Sequence, residues 1–186
     1  EKHPIGSQVS DYTATYFDSK FDSEVMDFSF NNMIAIVVAG SVSNIVGGQL
    51  TENYAKGLRV PMICCILGGI PCGIMYMTDN YRWAIWMNYA MRLLGEGWFP
   101  GAYDTIFMLY DDGPTRDLLV GLFFCCCNLF AALDVLITGL IFQRDDSQVR
   151  TGPMLLLGVF PYFLAGVCFG AAQWCSPHRP ICSPRA

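Results

Sequence analysis

Residues 83–110, WAIWMNYAMRLLGEGWFPGAYDTIFMLY, are apolar enough for a membrane interior yet carry Arg92, Glu96 and Asp104. A helix over this run, rising ~1.5 Å per residue, is about 42 Å long, more than the ~30 Å hydrocarbon core of a bilayer. Arg92 and Glu96 stand four apart and share one helix face. At ~100° per residue Asp104 lies about 80° further round, so one helix holds all three charges within roughly a third of its circumference. Pro100, four residues after Glu96, clashes with that residue's carbonyl and is expected to bend the helix beside the charge. A spanning helix with one charged side turns that side to protein or to a water-filled path, not to lipid.

Four further blocks flank this one. Residues 28–50 and 60–77 are uncharged, residues 118–142 carry Asp134 as their sole charge, and residues 151–175 are uncharged. Asn31, Asn32, Ser41, Ser43 and Asn44 make one side of the first block polar, so that side is expected to pack inward. Pro161 is expected to bend the last. Short polar connections join the blocks, which gives an all-α, polytopic, up-and-down membrane bundle of five transmembrane helices. The runs do not alternate apolar and polar residues, as the strands of a membrane barrel must. Gly69/Gly73, Gly97/Gly101 and Gly166/Gly170 recur at spacing four, which lets membrane helices approach closely. Residues 1–27 are polar and acidic with Tyr12, Tyr16, Phe17 and Phe21 interspersed, and read as a solvated extramembrane loop or tail. Residues 176–186 are a Pro-rich tail. The chain begins at Glu1 without a signal pattern, so it reads as a fragment or a processed piece.

Composition removes several function classes. Net charge is −5, which offers no basic surface for nucleic acid. Nine cysteines hint at disulfides or zinc, but eight of them, Cys64, Cys65, Cys72, Cys125, Cys126, Cys127, Cys168 and Cys175, lie in apolar blocks without CxxC or Cys/His spacing. They read as small hydrophobes packed between helices, with no metal and no cofactor implied. Both histidines, His3 and His178, fall outside every block. Lys and Arg divide evenly between the two sides, so charge does not set orientation.

The junction GGQLTENYAKGLR, residues 47–59, resembles the signature loop of the major facilitator superfamily, G-x-L-x-D-R followed by Gly and basic residues. Gly48 and Leu50 match, Glu52 and Asn53 stand in place of Asp and Arg, and Gly57 and Arg59 are displaced by an insertion. Arg92, with Gly95 and Gly97, resembles the R-x-x-x-G-x-G of that superfamily's fourth helix, the glycines coming one residue early. GEGWFPGAYDT with the later VGLFF and Asn128 is similar to lysosomal major-facilitator-domain proteins, some of which move dipeptides, and next to spinster-like lipid exporters. The resemblance covers roughly residues 28–175. It implies helices two to six of an amino-terminal half, a cytosolic Glu52 loop and a lysosomal, vacuolar or plasma-membrane location. The partners it implies are a lipid bilayer, a small solute, and either the missing carboxy-terminal half or a second copy. By the same resemblance Gly48, Leu50, Glu52, Gly57 and Arg59 control conformation.

A charge at mid-bilayer costs ~2.5–3.5 kcal/mol on insertion scales, which Arg92 and Glu96 offset by pairing. Two readings of that pair stand: an ion pair that holds the bundle, or a contact for a polar solute or a proton. Asp104, Asp134 and Asn128 complete the candidate pathway, with Asp134 the deepest carboxylate and Asn128 also suited to a bond between helices. The chain is read as a transporter part and not an enzyme. Its alternatives are a truncated membrane protein that binds a partner and, remotely, an intramembrane aspartyl protease using Asp104 and Asp134, although Asp134 lacks the G-x-G-D context.

Overall fold

The computed structural model describes residues 13, 16–17, 20–21, 25–53, 57–109, 113–143 and 151–175, apart from the side chains at 25–27, 108–109, 131, 134–135, 138, 141–143 and 151. Among the described residues every element is helical: α1 (Val25–Ile34), a π-helical segment (Ala35–Gly40), α2 (Ser41–Asn53), α3 (Arg59–Met77), α4 (Tyr81–Gly95), α5 (Trp98–Leu109), α6 (Pro114–Gln143) and α7 (Thr151–Cys175). Three helices are long and apolar enough to cross a membrane: Phe28–Asn53, Arg59–Met77 and Gly152–Cys175. They coincide with the uncharged blocks 28–50, 60–77 and 151–175, and α7 runs through Pro161 without ending.

The long charged helix expected over residues 83–110 is two helices instead, broken at Glu96–Gly97. The cause is local. Pro100 has no N–H for the Glu96 carbonyl, and Phe99 N–H takes its place at 3.4 Å, one residue short of α-helical register. Pro100 then falls in the first turn of α5, where a missing donor costs nothing. The break also overturns the shared face, because the register that carried Asp104 round from Glu96 assumed one continuous helix.

Helix α3 is the hub, packed chiefly against α4 and α7. Its entry and exit have chemical causes. Gly57, at φ 91°, ends the preceding connection in a conformation that L side chains rarely adopt. Asn80 caps α4, its Oδ1 accepting from Arg82 N at 3.0 Å and Trp83 N at 3.3 Å. Backbones meet most closely at two glycine pairs. A Cβ on Gly47 would lie 2.8 Å from Gly97 Cα, and one on Gly68 would lie 2.6 Å from Gly95 Cα. Of these four only Gly97 belongs to the spacing-four pairs picked out above. The tightest crossings follow the helix break and not a repeat.

Residues 13, 16, 17, 20 and 21 are helical and lie at the spacing of one helix face. Tyr16 and Phe17 are fully buried, against the expectation of a solvated tail. Phe17 stacks on Phe28 with ring centroids 4.2 Å apart, and Tyr16 meets Tyr76 edge-on. The Tyr76 carbonyl, in the last turn of α3, accepts from Tyr16 Oη and Lys20 Nζ, both at 2.8 Å. These residues therefore cap α3. The cysteines divide: Cys65 and Cys72 are buried as expected, whereas Cys125, Cys126, Cys168 and Cys175 are exposed on the outer surface.

Candidate functional site

Helix α4 and the Glu96 that caps its C-terminal end carry a polar row, Asn88, Arg92 and Glu96, at successive four-residue steps. Asn88 is buried and donates its Nδ2–H to Asn32 Oδ1 at 3.1 Å. Arg92 Nη1 donates to Glu96 Oε1 at 2.8 Å, with the two side chains 24% and 31% exposed. The row looks into the π-helical segment, which packs on α4. Glu96 Cγ lies 3.8 Å from where a Gly40 Cβ would stand. A π turn leaves carbonyls outside the α-helical ladder and recurs at functional sites. Its position opposite the ion pair puts irregular backbone where the charges are, inside the bundle.

Two polar atoms here are unused. Arg92 Nε and Asn44 Oδ1 are buried without a hydrogen-bond partner among the described residues. Asn44 spends its Nδ2–H on the Gly40 carbonyl at 3.0 Å, which places its free oxygen one bond from the residue that Glu96 lies against. From α7, Tyr162 closes the other side, its ring 3.1 Å from a Cβ built on Gly95. The site thus offers one spare donor and one spare acceptor beside a half-buried ion pair. That arrangement suits a small polar guest.

The other expected residues lie elsewhere. Asp104 is half-buried on α5, within electrostatic reach of Glu52. Two carboxylates assigned above to separate groups therefore act on one another. Asn128 is exposed on α6 and donates to Phe124 O of its own helix at 2.9 Å, so it makes no bond between helices. Asp134 belongs to α6, and its side chain lies outside the described residues. In the 47–59 junction, Gly48 packs on Pro100, while Leu50, Glu52 and Arg59 are exposed.

One residue of this region gave no sequence signal. Gln173, in the last turn of α7, accepts from Leu58 N at 2.8 Å and fills the space beside Gly57. It ties the 47–59 junction to the far end of the bundle. Asn88 and Tyr162 were also missed, and Asn44 was read only as part of an inward polar side of the first block. A polar residue one turn before Arg92 on the same face was the legible clue to Asn88. No protein-family model, curated protein or solved structure matches this chain.

Proposed function

We propose that this chain is part of a facilitator-type secondary transporter, an incomplete amino-terminal bundle of five spanning segments that carries one wall of a path for a small polar solute. The observation that carries the reading is the Arg92–Glu96 pair, held inward against the π-helical segment with Arg92 Nε and Asn44 Oδ1 unused beside it. In such transporters two bundles rock about a site near the bilayer midplane, formed where helices are interrupted. Here the interruption between α4 and α5 adjoins the pair. The opposing wall lies outside these residues. Asp104 beside Glu52 then belongs to the cytosolic end, where Gly48, Gly57 and Arg59 act on conformation through the junction that Gln173 holds.

The test is uptake by the complete protein in proteoliposomes, with labelled dipeptides as probes. Arg92→Ala and Glu96→Gln should each abolish uptake while expression and monodispersity persist. Uptake unchanged in both would remove the assigned role. A second reading, a membrane protein that acts by binding a partner, is favoured by the sparse packing of α6 on the other helices among the described residues.

A further inference from the structure

Helix α4 has a second face, opposite the ion pair. Ala84, Asn88 and Met91 are buried and set the inward side. Trp83, Trp86, Met87 and Ala90 follow the i, i+3, i+4, i+7 pattern of another side, with both tryptophans exposed. With Asn80 and Arg82 they line a groove of about 590 Å³. Exposure alone marks nothing here, since each of the three long apolar helices exposes apolar side chains. The groove differs in what stands at its mouth. Arg82 is a permanent cation, and among the described residues its guanidinium has no ion pair and no hydrogen bond. Asn80 spends its Oδ1 on the cap of α4, which leaves its Nδ2 as a second donor. No carboxylate lines the groove. Asp79, the adjacent acid, lies 3.5 Å from Lys20 Nζ instead.

The order of these groups along the helix has a chemical match. Helix α3 is long and apolar enough to span, and it ends at Met77, so Asn80 and Arg82 stand where that span meets water. Ala90 follows Arg82 by eight residues, about 12 Å further along the helix axis at ~1.5 Å per residue. The two tryptophans come in between, at the depth where tryptophan collects in membrane proteins. A cation and an amide donor at the boundary, with apolar walls below them, complement a phosphodiester above a hydrocarbon chain. A guanidinium meets a phosphate through two parallel N–H bonds. The lining carries one positive charge and no negative one, so it favours a headgroup of net negative charge. One basic residue at a membrane surface favours an anionic over a zwitterionic lipid about fivefold.

We infer that this groove on the outer face of α4 holds an anionic phospholipid, with its phosphate on Arg82 and Asn80 and an acyl chain along Trp83, Trp86, Met87 and Ala90. The site needs the chain to lie in a bilayer but needs no transport. Lipid occupancy is read from tryptophan and transport from uptake, so either can fail without the other.

The experiment uses the full-length protein with every tryptophan except Trp83 and Trp86 replaced by Phe, reconstituted in phosphatidylcholine bilayers. Phosphatidylglycerol with brominated chains is titrated in, and brominated phosphatidylcholine in matched vesicles. Quenching of the two tryptophans should show phosphatidylglycerol favoured about fivefold. Arg82→Gln should bring the two lipids to near parity. Ala90→Phe, which fills the groove and leaves the cation in place, should do the same (or Ala90→Leu, should the larger ring prevent folding). Equal quenching by both lipids before any substitution would mean ordinary bilayer contact and overturn the inference. A preference that survives filling the groove would overturn it as well, because a bare surface charge produces that result. Quenching by neither lipid would show protein in the groove, and loss of the preference in excess inorganic phosphate would show a site for the ion; either outcome is equally fatal. If the tryptophan-reduced protein does not elute as one folded species, the same ratio is read in the wild-type protein from the quenching that Trp83→Phe/Trp86→Phe removes.

Discussion

Removing Arg92 and removing both members of its pair should have different consequences. Arg92→Ala leaves the Glu96 carboxylate without its 2.8 Å partner. Breaking a buried pair costs ~3–5 kcal/mol, and an exposed pair contributes ~0–1 kcal/mol. With side chains 24% and 31% exposed the pair falls between, so a loss of about 2 kcal/mol is expected. At ~2–4 °C per kcal/mol for a chain of this size, that is a fall in Tm of about 4–8 °C. Arg92→Met/Glu96→Leu removes both charges and replaces them with apolar groups of similar reach. Such replacements are often neutral or stabilising, so most of the lost stability should return. If the pair serves only to hold the bundle, uptake should return with it. The proposed function predicts the opposite: a double variant that is stable and inactive. Melting followed by size exclusion gives the stability arm, and proteoliposome uptake gives the other. Uptake near wild type in the double variant would refute the reasoning, and the pair would then be a structural strut.

The remaining expectations rest on separate contacts. Gly47→Ala forces a Cβ to 2.8 Å from Gly97 Cα and should cost ~1–3 kcal/mol as an overpacking substitution, whereas Gly121→Ala, with nothing within 4 Å, should leave the melting profile unchanged. Asn88→Leu and Asn32→Leu should be non-additive, with a coupling of about 0.6 kcal/mol for a bond between membrane helices, and additive losses would mean that the 3.1 Å bond is not formed. Gln173→Ala strips the acceptor from Leu58 N, at a cost of about 1 kcal/mol. Limited proteolysis should then cut the 51–59 connection several-fold faster, and an unchanged cutting rate would count against the tie.

Local features were the legible ones. The uncharged runs at 28–50, 60–77 and 151–175 announce Phe28–Asn53, Arg59–Met77 and Gly152–Cys175 because charge is excluded from them and returns at the connections. The Arg92–Glu96 bond is legible for the same reason: partners four apart on a helix meet whatever surrounds them. Non-local features were not. Pro100 announced a bend beside Glu96, but not that two glycine pairs, Gly47 with Gly97 and Gly68 with Gly95, would bring backbones together around the break. Asp104 was misplaced because one missed break shifts every later residue on the helix. Tyr16 and Phe17 were set among acidic residues and were read by composition. Their spacing with Thr13, Lys20 and Phe21 marked a packed face, which a count of charges does not weigh. Gln173 acts across 115 residues of sequence, and no pattern near it points to Leu58.

The central claim is that the charged face of α4 looks into the protein and not into lipid. A nitroxide placed at position 96, 93 or 94 in the cysteine-free protein and reconstituted in bilayers reports this through collision with dioxygen, which concentrates in lipid, and with a water-soluble nickel complex. Leu93 and Leu94 are 45% and 40% exposed and should show high oxygen access. Position 96 should show several-fold lower oxygen access, with any excess going to the nickel complex. Oxygen access at 96 equal to that at 93 would put Glu96 against acyl chains and contradict the account.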